Sequence, residues 1–260
     1  MDVRSRLHWV ARGQSVAERA ALVTGASSGI GLAIAEMLGS EGYALTVTSR
    51  QPDKLATAVE ALRAKGFEVH GCPGNVVRDE DIEQVVVEHQ AAWGRIDVLV
   101  NNAGRGILGP FDQIDPKYIE LQLDLNLRAV IMFTRLSLAA LRAAVAETGR
   151  ALVVNVSSIA GKSASPDLAV YSAAKYGVVG FTEALNAELA GEGIHATVLC
   201  PEIVDTPLTD IPAFHEKMSA DQMIKATDLA EAVRYLLHLS PSCIVPEIVF
   251  RNATTLSATR

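Results

Sequence analysis

Residues 20–31 read Ala20-Ala21-Leu22-Val23-Thr24-Gly25-Ala26-Ser27-Ser28-Gly29-Ile30-Gly31, and an amphipathic stretch follows to Ser40. A short apolar run that breaks into glycines and then takes up a helical period is the opening strand-turn-helix unit of a nucleotide-binding sheet. Gly25 permits the tight turn, Gly29 lets the backbone approach a pyrophosphate, and Gly31 allows close packing of helix on strand. The free N–H groups where the helix starts, through Ile30, face the phosphates, and Ser27 and Ser28 can add hydroxyl donors.

Outward from that unit, apolar β-branched runs alternate with helical stretches over the rest of the chain, the pattern of repeated βαβ units. Strands are predicted at Ala20–Thr24, Ala44–Ser49, Glu68–Cys72, Val98–Asn101, Ala151–Ser157, His195–Cys200 and Ile244–Phe250. Helices are predicted at Gly29–Ser40, Pro52–Lys65, Asp79–Trp93, Pro116–Ala146, Tyr171–Leu189 and Thr227–Leu239, with Asp115 and Thr227 as capping residues. The fold class is therefore α/β, a Rossmann-type doubly wound, seven-stranded parallel sheet with helices on both faces. Residues 20–260 form one catalytic domain. Residues 1–19 precede the first strand with mixed charge and are open to reading as a disordered arm, an added remnant or an extra helix. The irregular segment 205–226, with Pro207 and Pro212, follows the sixth strand on the carboxyl edge of the sheet, where a substrate lid would sit.

The chain has 260 residues, 49% hydrophobic and 20% charged, with a formal net charge of -7. That is an ordinary globular composition. No basic block supports a nucleic-acid partner. Cys72, Cys200 and Cys243 are far apart and read as reduced core thiols, and the histidines, His195 and His215 included, show no clustered spacing, so no metal site is expected. No apolar run is seen to approach the roughly 20 residues that cross a bilayer, and the first residues do not resemble a signal peptide. A cytoplasmic protein with no membrane partner is expected.

In a dinucleotide fold the end of the second strand selects the cofactor. A carboxylate there binds the ribose 2′-hydroxyl of NAD, whereas an Arg accommodates the 2′-phosphate of NADP. Here the strand ends Thr48-Ser49-Arg50, and Arg50 can offer a planar fork of donors to a phosphate. NADP(H) is the expected cofactor, with NAD(H) left open.

The combination of Thr24-Gly25-Ala26-Ser27-Ser28-Gly29-Ile30-Gly31, Asn101-Asn102-Ala103-Gly104 after the fourth strand, Ser158, and Tyr171-Ser172-Ala173-Ala174-Lys175 resembles the short-chain dehydrogenase/reductase family over residues 20 to about 250. The branch it resembles holds the 3-oxoacyl-carrier-protein reductases and related carbonyl reductases. The resemblance implies that Asn75 and Val76 flank the adenine, that Asn102 lines the ribose side with Gly104 beside it, and that Pro201, Val204 and Thr206 hold the nicotinamide carboxamide. It also implies that Asn126 holds a water in a relay to the lysine. Glu202 stands where the family has glycine, and either reshapes the loop or disfavours anionic substrates. The family's glycine-pair ending is replaced by Val245-Pro246-Glu247-Ile248-Val249-Phe250, which puts the usual subunit contacts there in doubt.

Carbonyl reduction needs a proton donor for the developing alkoxide. Tyr171 and Lys175, spaced i, i+4, share a helix face, and an ammonium beside a phenol lowers its pKa. Tyr171 is then the acid in reduction and the base in oxidation, with Ser158 hydrogen-bonding the substrate oxygen. Adjacent strand residues point oppositely, and the step to Tyr171 matches the family for Ser158 rather than Ser157. Arg105 and Lys162 lie near the crevice, as surface cations or as attractants for an acidic substrate. The excess of apolar residues over Leu121–Leu141 hints at burial in a homotetramer or homodimer.

The expected function is an oxidoreductase moving hydride between NADP(H) and a carbonyl or alcohol, a ketone or 3-oxoacyl reductase. The alternative is a nicotinamide-binding sensor without turnover, although such proteins usually lose the Tyr or Lys. Epimerase chemistry on nucleotide sugars belongs to a longer branch. Steroid, sugar, oxoacyl thioester and xenobiotic ketones all remain as substrates.

Overall fold

The central strands are rich in β-branched and small residues, and β1 (Ala20–Thr24), β2 (Ala44–Ser49), β5 (Ala151–Val156) and β6 (Ile194–Pro201) are buried along their whole length, the threonines of β2 included. Strands of that kind need cover on both faces. In the computed structural model, which describes residues 18–210 and 218–257, they join β3 (Val69–Pro73), β4 (Val98–Asn101) and β9 (Glu247–Phe250) in one sheet. The order is β3-β2-β1-β4-β5-β6-β9, with every pairing parallel.

Alternate strand residues feed two cores. Val23, Val47, Val100 and Val154 pack with Ile34 and Leu38 of α1 (Gly29–Ser40), Leu55 and Val59 of α2 (Pro52–Ala64), and Leu229 and Val233 of the helix Ala226–Leu237. On the other face Leu22, Leu99 and Val153 pack with Ile82 and Val85 of α3 (Asp79–Trp93), with Phe133 and Leu141, and with Leu185. The expected doubly wound α/β sheet is what forms. Because all seven strands are parallel, the turn at Gly25, Arg50, Asn102, Ser158 and the loop after Pro201 emerge at one edge. The strand order reverses between β1 and β4, where a crevice opens and ligands of open α/β sheets bind.

The opposite edge is tied electrostatically. Buried Arg95 donates to both carboxylate oxygens of buried Asp97 at 2.9 and 2.5 Å and also to Glu147, while Asp97 accepts the Ala20 N–H at 2.8 Å. A hydrogen-bonded charge pair thus anchors the first strand to β4.

The structure departs from the expected elements at several places. The single predicted helix Pro116–Ala146 is α4 (Pro116–Leu123), a π-helical turn over Asp124–Arg128, and α5 (Ala129–Thr148). The stretch Pro116–Thr148 is long and apolar enough by composition to cross a membrane, contrary to the expected lack of such a run. Val130, Phe133 and Leu141 of this stretch are buried against other elements of the fold. The helix carrying Tyr171, α6 (Ala169–Leu189), starts two residues earlier than predicted. Asp115 caps α4 by accepting the Lys117 N–H at 3.0 Å, but Thr227 is no cap: α7 (Ala226–Leu237) begins before it, and the N-cap is Lys225, whose N–H Asp228 accepts at 2.8 Å.

The short ladder of β7 (Val204–Asp205) with β8 (Ile224–Lys225) and the closing α8 (Ala253–Ser257) were not legible as periodic segments. Cys72 and Cys200 are buried thiols, whereas Cys243 is exposed rather than in the core. Residues 1–17 of the expected arm at 1–19 and the lid centre at 211–217, with His215, lie outside the described residues.

Candidate active site

The turn after β1 is built on two left-handed glycines, Gly25 at φ 66° and Gly29 at φ 57°. That conformation is open to glycine at little cost. A Cβ on Gly25 would come within 2.9 Å of the Ala103 backbone, and one on Gly29 within 3.1 Å of the Thr206 methyl. At Gly31 the intruding atom would collide with the Gly25 carbonyl and the Asn102 amide. The turn is therefore packed against the loops after β4 and β6.

Asn102 explains that packing. Its Nδ2 donates to the carbonyls of Thr24 at 2.9 Å and Gly25 at 3.1 Å, while Thr24 Oγ1 accepts from the backbone of Asn102 and Ala103. The amide expected on the ribose side is thus occupied in holding the turn. Ser28 is the N-cap residue of α1 but makes no side-chain cap, and no acidic residue stands in the first turn. The positive end of α1, its unpaired N–H groups through Ile30, and the hydroxyls of Ser27 and Ser28 therefore fit an anionic pyrophosphate.

Arg50 is exposed directly beyond the end of β2. On the adjoining loop Asn75 is half-buried, with its N–H on Asp81 at 2.9 Å, whereas Val76 belongs to the core beside Ile82. Pro201 and Val204 are also buried, and Thr206 borders the glycine turn. Thr206 is set by Thr209, whose hydroxyl donates to the carbonyls of Val204 and Thr206.

Ser158 stands two residues beyond β5, and its Oγ accepts the Ala160 N–H at 3.2 Å. Neighbouring Ser157 is buried, with its hydroxyl donating at 3.0 Å to the Lys175 carbonyl, so the paired serines divide into one for the helix and one for the crevice. Lys175 Nζ donates to the Val156 carbonyl at 2.9 Å and lies 5.6 Å from the centre of the Tyr171 ring. Gly104 is the point on which the groups converge, since a Cβ there would sit 2.8 Å from Asn126 Oδ1 and 3.4 Å from Lys175 Nζ.

The electrostatics differ from the expectation that the lysine lowers the phenol. Burial pushes Tyr171 up to about 12, and the opposing pull comes from its hydrogen bond with Ser158. Burial brings Lys175 down to about 8. In each case desolvation disfavours the charged form and outweighs the neighbours. At neutral pH the site therefore holds a phenol and an ammonium.

Two side chains escaped the sequence reading in whole or in part. Asn126, fully buried in the π-helical turn, accepts the Arg105 N–H at 3.1 Å and donates to the carbonyls of Arg105 and Gln122 at 2.9 and 3.0 Å. Its side chain thus grips the loop after Gly104. Asn155, unnoticed within an apolar strand, accepts from Asn101 Nδ2 at 2.8 Å and donates to Thr182 at 2.9 Å, bridging β4, β5 and α6 beneath the site. A polar residue inside an otherwise apolar run was the available signal.

Glu202 is engaged by the segment that follows β9. Its carboxylate accepts from the Asn252 N–H and the Thr255 hydroxyl, both at 2.8 Å, and from Arg251 Nε at 3.1 Å. Asn252 in turn holds both backbone groups of Ile203. The carboxylate thus ties the loop after Pro201 to residues 251–255. Lys162 pairs with Glu247 at 2.9 Å, Arg105 is exposed, and His195 is buried in the amino half of β6, its pKa lowered by burial.

Comparison with known proteins agrees with this geometry. A model described as short chain dehydrogenase matches residues 19–213. A monensin polyketide synthase putative ketoacyl reductase of Streptomyces virginiae is 42% identical over 193 residues, 73% of this chain and 72% of that protein. A putative ketoacyl reductase of Streptomyces coelicolor is 37% identical over 235 residues, 84% of this chain and 89% of that one. The crystal structure of a single-site variant of the actinorhodin polyketide ketoreductase with NADPH superposes with a TM-score of 0.82 at 33% identity, over 90% of this chain and 96% of that chain. With the glycine turn, the Ser158–Tyr171–Lys175 centre and these relatives in agreement, the chain belongs to the short-chain dehydrogenase family.

Proposed function

We propose that this protein is an NADP-dependent oxidoreductase that reduces a ketone or 3-oxoacyl carbonyl, and oxidises the corresponding alcohol in the reverse direction. The observation that carries the proposal is the convergence of Ser158, Tyr171 and Lys175 on the crevice that also receives the glycine turn. Ketoacyl reductase relatives and an NADPH-bound structural neighbour support the substrate class and the cofactor.

The cofactor supplies hydride. Gly25, Ser27, Ser28, Gly29, Ile30 and Gly31 hold its pyrophosphate, Arg50 its 2′-phosphate, the Asn75 loop its adenine, and Thr206 closes over the turn. Ser158 holds the substrate oxygen beside the Tyr171 hydroxyl, and Tyr171 gives its proton to the oxygen as negative charge develops there. The tyrosine's high pKa keeps it protonated until that moment. The Lys175 ammonium then stabilises the phenolate left behind, in surroundings dry enough to make a charge at this distance count. Asn126, which converges with Lys175 on Gly104, is assigned to the relay that returns the proton. A homodimer or homotetramer is favoured by the exposure of Tyr118 and Leu123 on α4, and a cytoplasmic location by the packing of the long apolar helix α5 against the sheet.

The test is loss of NADPH absorbance, then of NADH absorbance, across a panel of ketones and oxoacyl thioesters. Wild type should prefer NADPH, Tyr171→Phe should lose turnover while still binding NADPH, and Arg50→Ala should narrow the NADPH preference by about tenfold or more. Cofactor binding without turnover on the whole panel would instead favour a sensor.

A further inference from the structure

We propose that Gln122 is a positioning residue for substrate selection, holding the strap Gly106–Leu108 against Tyr171 as one wall of the substrate crevice. The inference rests on the reductase reading above for its catalytic readout, but the strap itself is a feature of the described geometry.

Gln122 lies on α4 at 1% exposure, in a position that an apolar residue would fill if packing alone were needed. Its Oε1 accepts the Ile107 N–H at 3.0 Å. Because Ile107 offers a donor, the amide orientation is determined, and Nε2 is left buried without a hydrogen-bond partner. The bond to Ile107 is therefore the contact that fixes this buried side chain.

That bond is the middle of three. Arg105 is gripped through both backbone groups by Asn126, and at the far end Gly109 donates its N–H to the Asp167 carbonyl at 3.0 Å. Asp167, at φ 63°, is the sole non-glycine residue with positive φ among the described residues. A strained residue that bonds the neighbouring loop marks a place where position matters more than local comfort. Between these ties, a Cβ on Gly106 would lie 3.7 and 3.8 Å from two ring carbons of Tyr171. Beyond it, Leu108 and Phe111 leave large apolar surfaces exposed, at 54% and 66%.

The wall beside the reacting oxygen is therefore backbone held from behind by Gln122, with an apolar lip. It suits a carbonyl whose flanking group is bulky and apolar. Freed from Gln122, the strap would drift and the crevice would lose its preference for such a group over a small one, with hydride transfer itself little changed.

The experiment compares wild type, Gln122→Leu and Gln122→Glu by amide hydrogen exchange of the free protein and by kinetics on an aryl ketone and a short linear ketone. Wild type should protect the Ile107 amide although it lies in a loop. Gln122→Leu should lose that protection and raise the aryl-ketone KM roughly three- to tenfold, from the loss of one hydrogen bond, with the NADPH KM and kcat near wild type. Gln122→Glu, which keeps an acceptor for Ile107, should restore the preference. Fast exchange of Ile107 in wild type, unchanged exchange in Gln122→Leu, or equal losses on both ketones would overturn the proposal. Wild type that consumes no NADPH with either ketone, or with the wider panel, would sink the reductase reading alone, and the exchange of Ile107 would still decide the strap.

Discussion

Replacing Lys175 by Met separates the lysine's cost to the fold from its use in the site. Burial lowers Lys175 from 10.5 to about 8. A lysine with a depressed folded-state pKa penalises the fold while it must carry its proton, at pH values below the folded pKa, and the penalty is relieved as pH rises toward the unfolded value. Each pH unit in that interval changes stability by up to about 1.4 kcal/mol. Between about pH 8 and about pH 10 wild type should therefore gain about 2 kcal/mol from this residue, and Lys175→Met should gain nothing from it. The window stops near pH 10 because Tyr171, raised to about 12, begins there to work in the opposite sense. The raised Cys72 thiol acts alike in both proteins and cancels in the difference, whereas Cys200, which the ammonium of Lys175 draws down in wild type, is raised further in Lys175→Met.

The absolute stability at neutral pH is a poorer test. Methionine removes the buried charge but strands the Val156 carbonyl, which now receives the ammonium at 2.9 Å, and a stranded acceptor costs about 1–3 kcal/mol. The assay is urea unfolding of both proteins at matched concentration over that pH series. The difference between the two curves should rise with a slope of up to about 1.4 kcal/mol per pH unit, and parallel curves would refute a buried lysine held near pKa 8.

Three further substitutions probe the frame. Gly31→Ala drives a Cβ into the Gly25 carbonyl and the Asn102 amide, and should weaken NADPH binding about tenfold or more in a fluorescence titration; wild-type affinity would show that the turn does not hold the cofactor. Glu202→Gly removes the acceptor for three donors on residues 251–255, so urea unfolding should show a loss of about 2–4 kcal/mol and faster amide exchange near the chain end, whereas unchanged exchange there would contradict the fastening role. Asp97→Asn leaves the buried Arg95 guanidinium short of its main counter-charge, and should cost about 3–5 kcal/mol in the same assay; a loss below about 1 kcal/mol would mean that Glu147 suffices.

The order of elements and the side chains that gather at the carboxyl edge of the sheet were legible because they depend on short-range rules. A glycine turn between an apolar strand and a helix, a Tyr and Lys one helical turn apart, and an Arg where a carboxylate would select NAD each carry their meaning within a few residues. What escaped is what long-range packing decides. Asn102 reads as a ligand contact along the chain, yet the approach of the β4 loop to the β1 turn brings it onto Thr24 and Gly25. Glu202 reads as a charge at the crevice mouth, yet the end of the chain folds back to accept it as a fastening. The pKa values of Tyr171 and Lys175 belong to the same class, because spacing places an ammonium near a phenol but only burial, a property of the assembled core, sets which influence is larger. Local sequence determined the sheet, its nucleotide turn and the chemistry on offer; the folded packing, by desolvating some groups and pairing others across distant segments, decided how each of them is held.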